Sequence, residues 1–424
     1  MQVSELYKIF KQSTGICTDT RKVEKGNLFF ALKGPNFNAN KLADEALKNG
    51  AIAAVIDDSD FDEGDNYILV NDGLQTLQTL ANYHRKQFDI PVIGITGTNG
   101  KTTTKELMAA VLETTFKTHY TKGNFNNHIG VPLTLLEMEE DTEIAIIEMG
   151  ANHIGEIAEL CQIAEPNLGI ITNIGKAHLE GFGSFEGVAR AKSELYLFIK
   201  NNGGSIFVNS TDEHLMRMSS RLQNVIKFPE VEDFYTCEFL SSNPFIEFKV
   251  NNSTIKTHLF GMYNFYNIAT ALCIGKYFKV DERLANNAIS NFESDNNRSQ
   301  IIKKHSNTII LDAYNANPSS MKAAILNFEE MEMPNKIVVL GDMFELGAES
   351  KEEHTAIGEL LAECNFKQSI IIGKEMRYAN IVYQQSKWFE TKNELVVWLE
   401  KEKIKNATIL VKGSRGMSLE TLIF

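Results

Sequence analysis

Residues 91–107, Pro-Val-Ile-Gly-Ile-Thr-Gly-Thr-Asn-Gly-Lys-Thr-Thr-Thr-Lys-Glu-Leu, restrict this chain more than any other stretch. A β-branched apolar run, Val92 to Ile95, ends in a glycine turn and enters a helix-forming segment opened by Lys101 and Thr102. Met108, Val111, Leu112 and Thr115 recur at helical spacing and predict one packed face. Strand, tight loop and helix N-terminus in that order make a cradle for an anion. Gly97 and Gly100 let backbone N–H groups close on it, Thr98, Asn99 and Thr103 belong to the same turn, and the helix end adds partial positive charge. Lys101 supplies a mobile full charge for β/γ-phosphates, and the Thr102 hydroxyl can ligate the accompanying magnesium. The spacing departs from the common pattern: glycines fall at 94, 97 and 100, and Ile95 takes the place of the first expected one. A plain glycine-rich turn is the alternative. Gly-Lys-Thr between a strand and a helix favours a nucleotide phosphate loop.

A chain of 424 residues predicts two or three domains. Its 43% apolar content supports full cores and excludes a disordered or fibrous chain. The net charge of −13 argues against a nucleic-acid binder held by a general positive field, so anionic ligands need local clusters of Lys, Arg and backbone N–H. Cys17, Cys161, Cys237, Cys273 and Cys364 show no paired spacing, which suits a reducing compartment without disulfides or a zinc site. No signal-peptide core and no run of membrane-spanning length stand out, so a soluble cytoplasmic protein without membrane insertion is expected.

Alternation of strand and helix signals predicts an α/β chain in three units: 1–86, 87–296 and 297–424. The first is a small α/β unit, with Asp72 capping a helix that turns Leu74, Leu77, Leu80 and Ala81 inward; residues 85–89 read as a linker. In the second, strands at 91–96, 144–149, 168–174 and 204–209 alternate with helices, giving a mainly parallel ATPase-type sheet. Residues 245–259 form a hairpin expected at its edge, and a helix over 262–278 closes the unit. The third carries strands at 308–311, 336–340, 369–372 and 408–411 and four helices, a Rossmann-like doubly wound unit. Asn317-Pro318 caps one helix there, with Met321, Ala324, Ile325 and Phe328 facing the sheet.

Chemistry-bearing residues recur where parallel strands end, the position at which such sheets bind ligands. Glu148 closes the apolar run 144–149 and needs a partner if buried: a core salt bridge, or magnesium, since its strand should lie beside the phosphate loop. Gly175, Gly181 and Gly183 shape a loop presenting His178. Lys192 follows on a helix where, taken alone, it is an ordinary lysine. Asp312 leads into Tyr314-Asn315-Ala316-Asn317, and Val411 into Lys412-Gly413-Ser414-Arg415, which predicts one polar, partly cationic mouth.

Gly97–Thr103, Gly123-Asn124-Phe125-Asn126-Asn127, Glu148-Met149-Gly150, the 173–184 loop and the 312–318 block together resemble the Mur ligase family, over nearly the whole chain. The family consists of three-domain, ATP-dependent amide ligases of peptidoglycan precursor synthesis. The 312–318 block, residues 340–347 and 412–415 narrow the likeness to the branch that joins D-alanyl-D-alanine to UDP-N-acetylmuramoyl-tripeptide. The resemblance implies ATP and two magnesium ions, one on Thr102 and Glu148, the other served by His178 and a carbamylated Lys192. It implies Asn264 and Asn267 at the adenine, Arg298 and Asp312 reaching the nucleotide, and Thr20, Arg21 and Lys33 on the uridine diphosphate end. Asn124, Asn127, Tyr314, Asn315, Asn317, Lys412, Ser414 and Arg415 would meet the other substrate parts, in a monomer. The chain departs from the family pattern at Tyr263 (usually histidine), Lys176 (frequently proline) and Asn38-Ala39-Asn40 (commonly Asp-Gly-His). Relatives adding a single amino acid, folylpolyglutamate-type ligases and a nucleotide switch without chemistry are the alternatives.

Overall fold

The computed structural model describes residues 2–294, 298 and 300–422; the expected boundary at 296/297 lies outside the described residues. Three parallel-type sheets follow one another along the chain. The first runs Ile16–Cys17, Leu28–Phe30, Ala53–Ile56, Tyr67–Leu69, all parallel. The helix Val3–Gln12, which precedes it, was not expected. Asp72 caps Gly73–Arg85 by accepting from the Gln75 N–H, and Leu77, Leu80 and Ala81 are buried while Leu74 is half-buried. The expected linker is tied down instead: Arg85 is buried and donates to the carbonyls of Ala164 and Phe88, because a guanidinium out of water must find acceptors. Asn82 likewise donates to the carbonyl of Ile163, so this helix packs on the second unit.

The second sheet has the order Val225–Phe228, Ser205–Asn209, Leu168–Ile171, Val92–Thr96, Ile144–Glu148, Thr118–Tyr120, parallel throughout. Its strands alternate between two cores. Ile93 and Ile95 face Met108, Val111 and Leu112 on the helix Lys101–Leu112 and Ile268 and Leu272 on Tyr263–Tyr277. Val92, Ala145 and Ile147 face Leu160, Leu195 and Ile199. Each such buried valine, leucine, isoleucine or methionine contributes about 1.5–3 kcal/mol. Thr115 lies beyond its helix and is exposed, outside the expected packed face. The hairpin Ile246–Val250 to Ser253–Lys256 forms with its Asn251-Asn252 turn, yet it belongs to a separate antiparallel sheet with Glu238–Ser242 and not to the edge of the parallel one.

The third sheet, Gln300–Lys304, Asn307–Leu311, Thr408–Lys412, Lys336–Gly341, Gln368–Ile372, Lys387–Phe389, is parallel except for its first pair. Asn317 caps Pro318–Glu330, and Met321, Ala324, Ile325 and Phe328 are fully buried as expected. No helix among the described residues is long and apolar enough to cross a membrane.

Candidate active site

The strand Val92–Thr96 lies at the centre of the second sheet, where the chain's path reverses direction, so the turn that follows it opens at a switch point. Gly97 has φ +146°, and a Cβ there would stand 1.9 Å from Thr172 Oγ1. Gly100 has φ +79° and caps Lys101–Leu112, with Asn267 Oδ1 2.7 Å from where its Cβ would be. Only glycine fits either place without a shift. The loop is held from behind. Asn173 accepts from the Asn99 N–H and donates to its carbonyl, Thr172 Oγ1 donates to the same carbonyl, and Thr98 Oγ1 accepts from Gly175 N–H.

Inside this frame Lys101 Nζ donates to the carbonyls of Gly97 and Thr98, at 2.7 and 3.2 Å. Burial lowers its pKa, Glu148 opposes that and Arg298 adds to it. Thr102 Oγ1 donates to Glu148 Oε1 at 3.1 Å, and Asn126 Nδ2 donates to the same oxygen at 2.8 Å. Glu148 is buried, and its Oε2 has no hydrogen-bond partner; Lys105 Nζ stands 3.7 Å away. Thr103 is buried behind the turn. Asn267 accepts from Thr104 Oγ1 and donates to Asn264, whose amide donates to the Phe260 carbonyl.

His178 adopts φ +49° at the start of a short helical turn, and burial lowers its pKa. Lys192, on Phe185–Asn201, is 2% exposed. Burial first and Lys101 second bring its pKa down to about 7, against Glu156 and Glu194.

The third unit closes over this loop. Asn317 Nδ2 donates to Asn99 Oδ1 at 2.8 Å and Asn99 Nδ2 returns a longer bond of 3.4 Å. Lys176 Nζ pairs with Glu353 at 2.5 Å, and Ser319 Oγ accepts from the Lys176 N–H. The result is one cleft of about 1060 Å³, lined by Thr98–Thr103, Asn124, Asn127, Glu148, His178, Asn264, Asn267, Arg298, Asp312, Tyr314, Asn315, Asn317 and Lys412. The guanidinium of Arg298 lies 3.7 Å over the Tyr314 ring, and that of Arg415 5.5 Å from it. Lys412 Nζ is engaged by Asp312 Oδ2 at 2.6 Å, and buried Ser414 accepts from the Phe344 N–H. Asn315 and Arg415 are the exposed members of that mouth.

Thr20, Arg21 and Lys33 lie apart, on the first unit. Arg21 pairs with Asp19, Lys33 with Asp57 at 2.9 Å, and Asn49 donates to the Thr20 carbonyl. Asp57 also accepts from Asn40 and from the Gly73 N–H, organising the loop where Asn38-Ala39-Asn40 departs from the family. Lys105, Asn126 and Asp57 were missed in the sequence. Lys105 was findable: it falls with Lys101, Met108 and Leu112 on the packed helix face, where a lysine requires a carboxylate.

Two family models match the chain: the Mur ligase middle domain over residues 95–275, and the Mur ligase, glutamate ligase domain over 297–415. The UDP-N-acetylmuramoyl-tripeptide–D-alanyl-D-alanine ligase of Bacillus subtilis is 36% identical over 422 residues, covering 96% of this chain and 92% of that one. The Escherichia coli enzyme of the same name is 34% identical, with coverages of 96% and 92%. Among solved structures, MurF from Acinetobacter baumannii superimposes with a TM-score of 0.89 at 29% identity, covering 99% of this chain and 97% of that one. MurF ligase from Thermotoga maritima in complex with ADP gives 0.84 at 28%, covering 97% and 96%.

Proposed function

The chain belongs to the Mur ligase family, and from that premise we propose that it joins D-alanyl-D-alanine to UDP-N-acetylmuramoyl-tripeptide with ATP, releasing ADP and phosphate. The observation that carries this reading is the cleft in which the phosphate loop faces the 312–317 and 412–415 loops across the Asn99–Asn317 pair. Lys101, lifted from the Gly97 and Thr98 carbonyls, follows charge onto the γ-phosphoryl group as it passes to the tripeptide's terminal carboxylate. The dipeptide amine then attacks the acyl phosphate's carbonyl carbon, and phosphate leaves. The first unit would hold the uridine diphosphate end through Thr20, Arg21 and Lys33. Asn267, beside Gly100, and its partner Asn264 would border the adenine, and Arg298 and Asp312 the rest of the nucleotide. Asn124, Asn127, Tyr314, Asn315 and Arg415 are left to meet the acyl and amine substrates.

Magnesium fits the residues present. Glu148 Oε2 is a buried acceptor with no hydrogen bond, its ion-pair partner Lys105 standing back at 3.7 Å, and the Thr102 hydroxyl lies on the same carboxylate, so a hard cation finds oxygen donors here. Among the described residues no three His, Cys, Asp or Glu side chains converge, which suits a metal completed by phosphate oxygens. When bound, magnesium spreads the negative charge of phosphoryl transfer. A second ion would be served by His178 and by Lys192 as a carbamate. The lowered pKa of Lys192 supports that modification, since the neutral amine is the form that adds carbon dioxide and loses a proton. Free thiols at all five cysteines support a reducing, cytoplasmic setting, and we take the active form to be a monomer.

Phosphate release tests the reading. It should need ATP, a UDP-linked tripeptide (ending in lysine or diaminopimelate) and D-alanyl-D-alanine together. Release with a single amino acid in place of the dipeptide would overturn it in favour of another family branch.

A further inference from the structure

The loop after Lys336–Gly341 is pinned within the third unit at three successive residues. Asp342 Oδ1 accepts from Met376 N–H, Met343 N–H donates to His354 Nε2, and Phe344 N–H donates to Ser414 Oγ. The next residue, Glu345, turns with φ +62° and leaves its own domain. Its carbonyl accepts from Glu180 N–H at 3.3 Å, and Gly347 packs on Glu180. Its Oε2 stands 2.5 Å from His178 Nδ1, a buried ring nitrogen, off the line of a full hydrogen bond. Both residues hold left-handed backbone geometry, uncommon for non-glycine residues.

We infer that Glu345 is a positioning residue for His178, supplied by the third domain on docking: a carboxylate set against Nδ1 favours the proton on that nitrogen and leaves Nε2 as the one with a free lone pair. The inference rests on the proposal that His178 serves the second magnesium. A carboxylate on the far ring nitrogen fixes the tautomer a metal-binding histidine needs and raises its basicity. The pair is half exposed, so its attraction adds little to stability, and orientation is what it changes. The closed arrangement that brings the amine-binding loops to the phosphates thereby also readies the second ion's ligand. Phosphoryl transfer is then armed when the third domain is in place.

The test uses the full-length enzyme with manganese as the ion, a non-hydrolysable ATP analogue, and the variants Glu345→Ala, Glu345→Gln and His178→Ala. Manganese affinity is read by electron paramagnetic resonance and the His178 tautomer by 15N nuclear magnetic resonance. Glu345→Ala should weaken the second manganese by about tenfold or more, leave the first unchanged, and remove the Nδ1–H preference. Glu345→Gln, which still offers an acceptor, should recover part of both. Unchanged tautomer and unchanged second-ion affinity in Glu345→Ala would overturn the inference, whatever happens to activity. If His178→Ala leaves both ions bound as tightly as before, the metal reading of His178 fails; a tautomer shift in Glu345→Ala would still uphold the positioning.

Discussion

Replacing Asn317 with serine separates two jobs that this side chain holds at once. Its Oδ1 caps Pro318–Glu330 by accepting from Ser320 N–H, and its Nδ2 reaches 2.8 Å across to Asn99 on the phosphate loop. Serine caps a helix about as well as asparagine, so Asn317→Ser should leave the third domain's stability within about 0.5 kcal/mol. Its shorter hydroxyl does not reach Asn99. The lost inter-domain bond is half-buried and neutral, worth about 1 kcal/mol, and the 3.4 Å return bond adds little. One kcal/mol is about a fivefold change in an equilibrium, so turnover should fall by up to about fivefold through a smaller docked population. Asn317→Ala should show the same loss of turnover and a further cost of about 1 kcal/mol in stability from the missing cap. Steady-state kinetics with urea unfolding of both variants gives the comparison. Were Asn317 a contact for the dipeptide alone, its Michaelis constant would rise with turnover unchanged. That result would refute the docking role, and equal destabilisation in both variants would refute the capping role.

Lys101→Ala should lose at least a hundredfold in turnover at saturating ATP with the fold intact by circular dichroism; retention of more than a few per cent would remove its role on the transferring phosphoryl group. Lys192, with a folded-state pKa of about 7 against an ordinary 10.5, binds fewer protons folded than unfolded between those values, so stability from this group rises with pH across that window and its full penalty applies below it. A 13C-carbonate-labelled carbamate signal should therefore grow between about pH 6 and 8; its absence at pH 8 with magnesium and ATP, together with an active Lys192→Ala variant, would count against the modification. Lys412→Met should cost about 1–3 kcal/mol in the third domain by removing the buried ammonium that bonds Asp312 Oδ2 and the Asn315 carbonyl, and a loss under about 0.5 kcal/mol in urea unfolding would show these bonds to be incidental.

What the chain revealed in advance was local. The strand-loop-helix at 92–112, the Asn317-Pro318 cap and the Asp72 cap each depend on neighbours within a few residues, so spacing alone found them. The added strands Thr118–Tyr120, Lys387–Phe389 and Gln300–Lys304 are short or weakly patterned edges whose pairing is set by the sheet. Partners far apart in sequence stayed hidden. Lys105 meets Glu148 and Arg85 meets Ala164 only after folding, and nothing near Glu345 announces His178. Resemblance alone suggested roles for Lys192 and Asn264, which periodicity presents as an ordinary helical lysine and an interior amide. For Asn317, Lys412 and Ser414, expected on substrate, the structure displays strong partners within the protein: Asn99, Asp312 and Phe344.

In the proposed reaction the γ-phosphoryl group passes to the tripeptide's carboxylate before the amide forms. The most direct measurement labels the terminal carboxylate of the UDP-linked tripeptide with 18O and follows released phosphate by mass during ligation to D-alanyl-D-alanine. One labelled oxygen per phosphate is expected, since the acyl phosphate's bridging oxygen comes from the carboxylate and leaves with phosphorus. Unlabelled phosphate released alongside a normal yield of ligated product would contradict the mechanism.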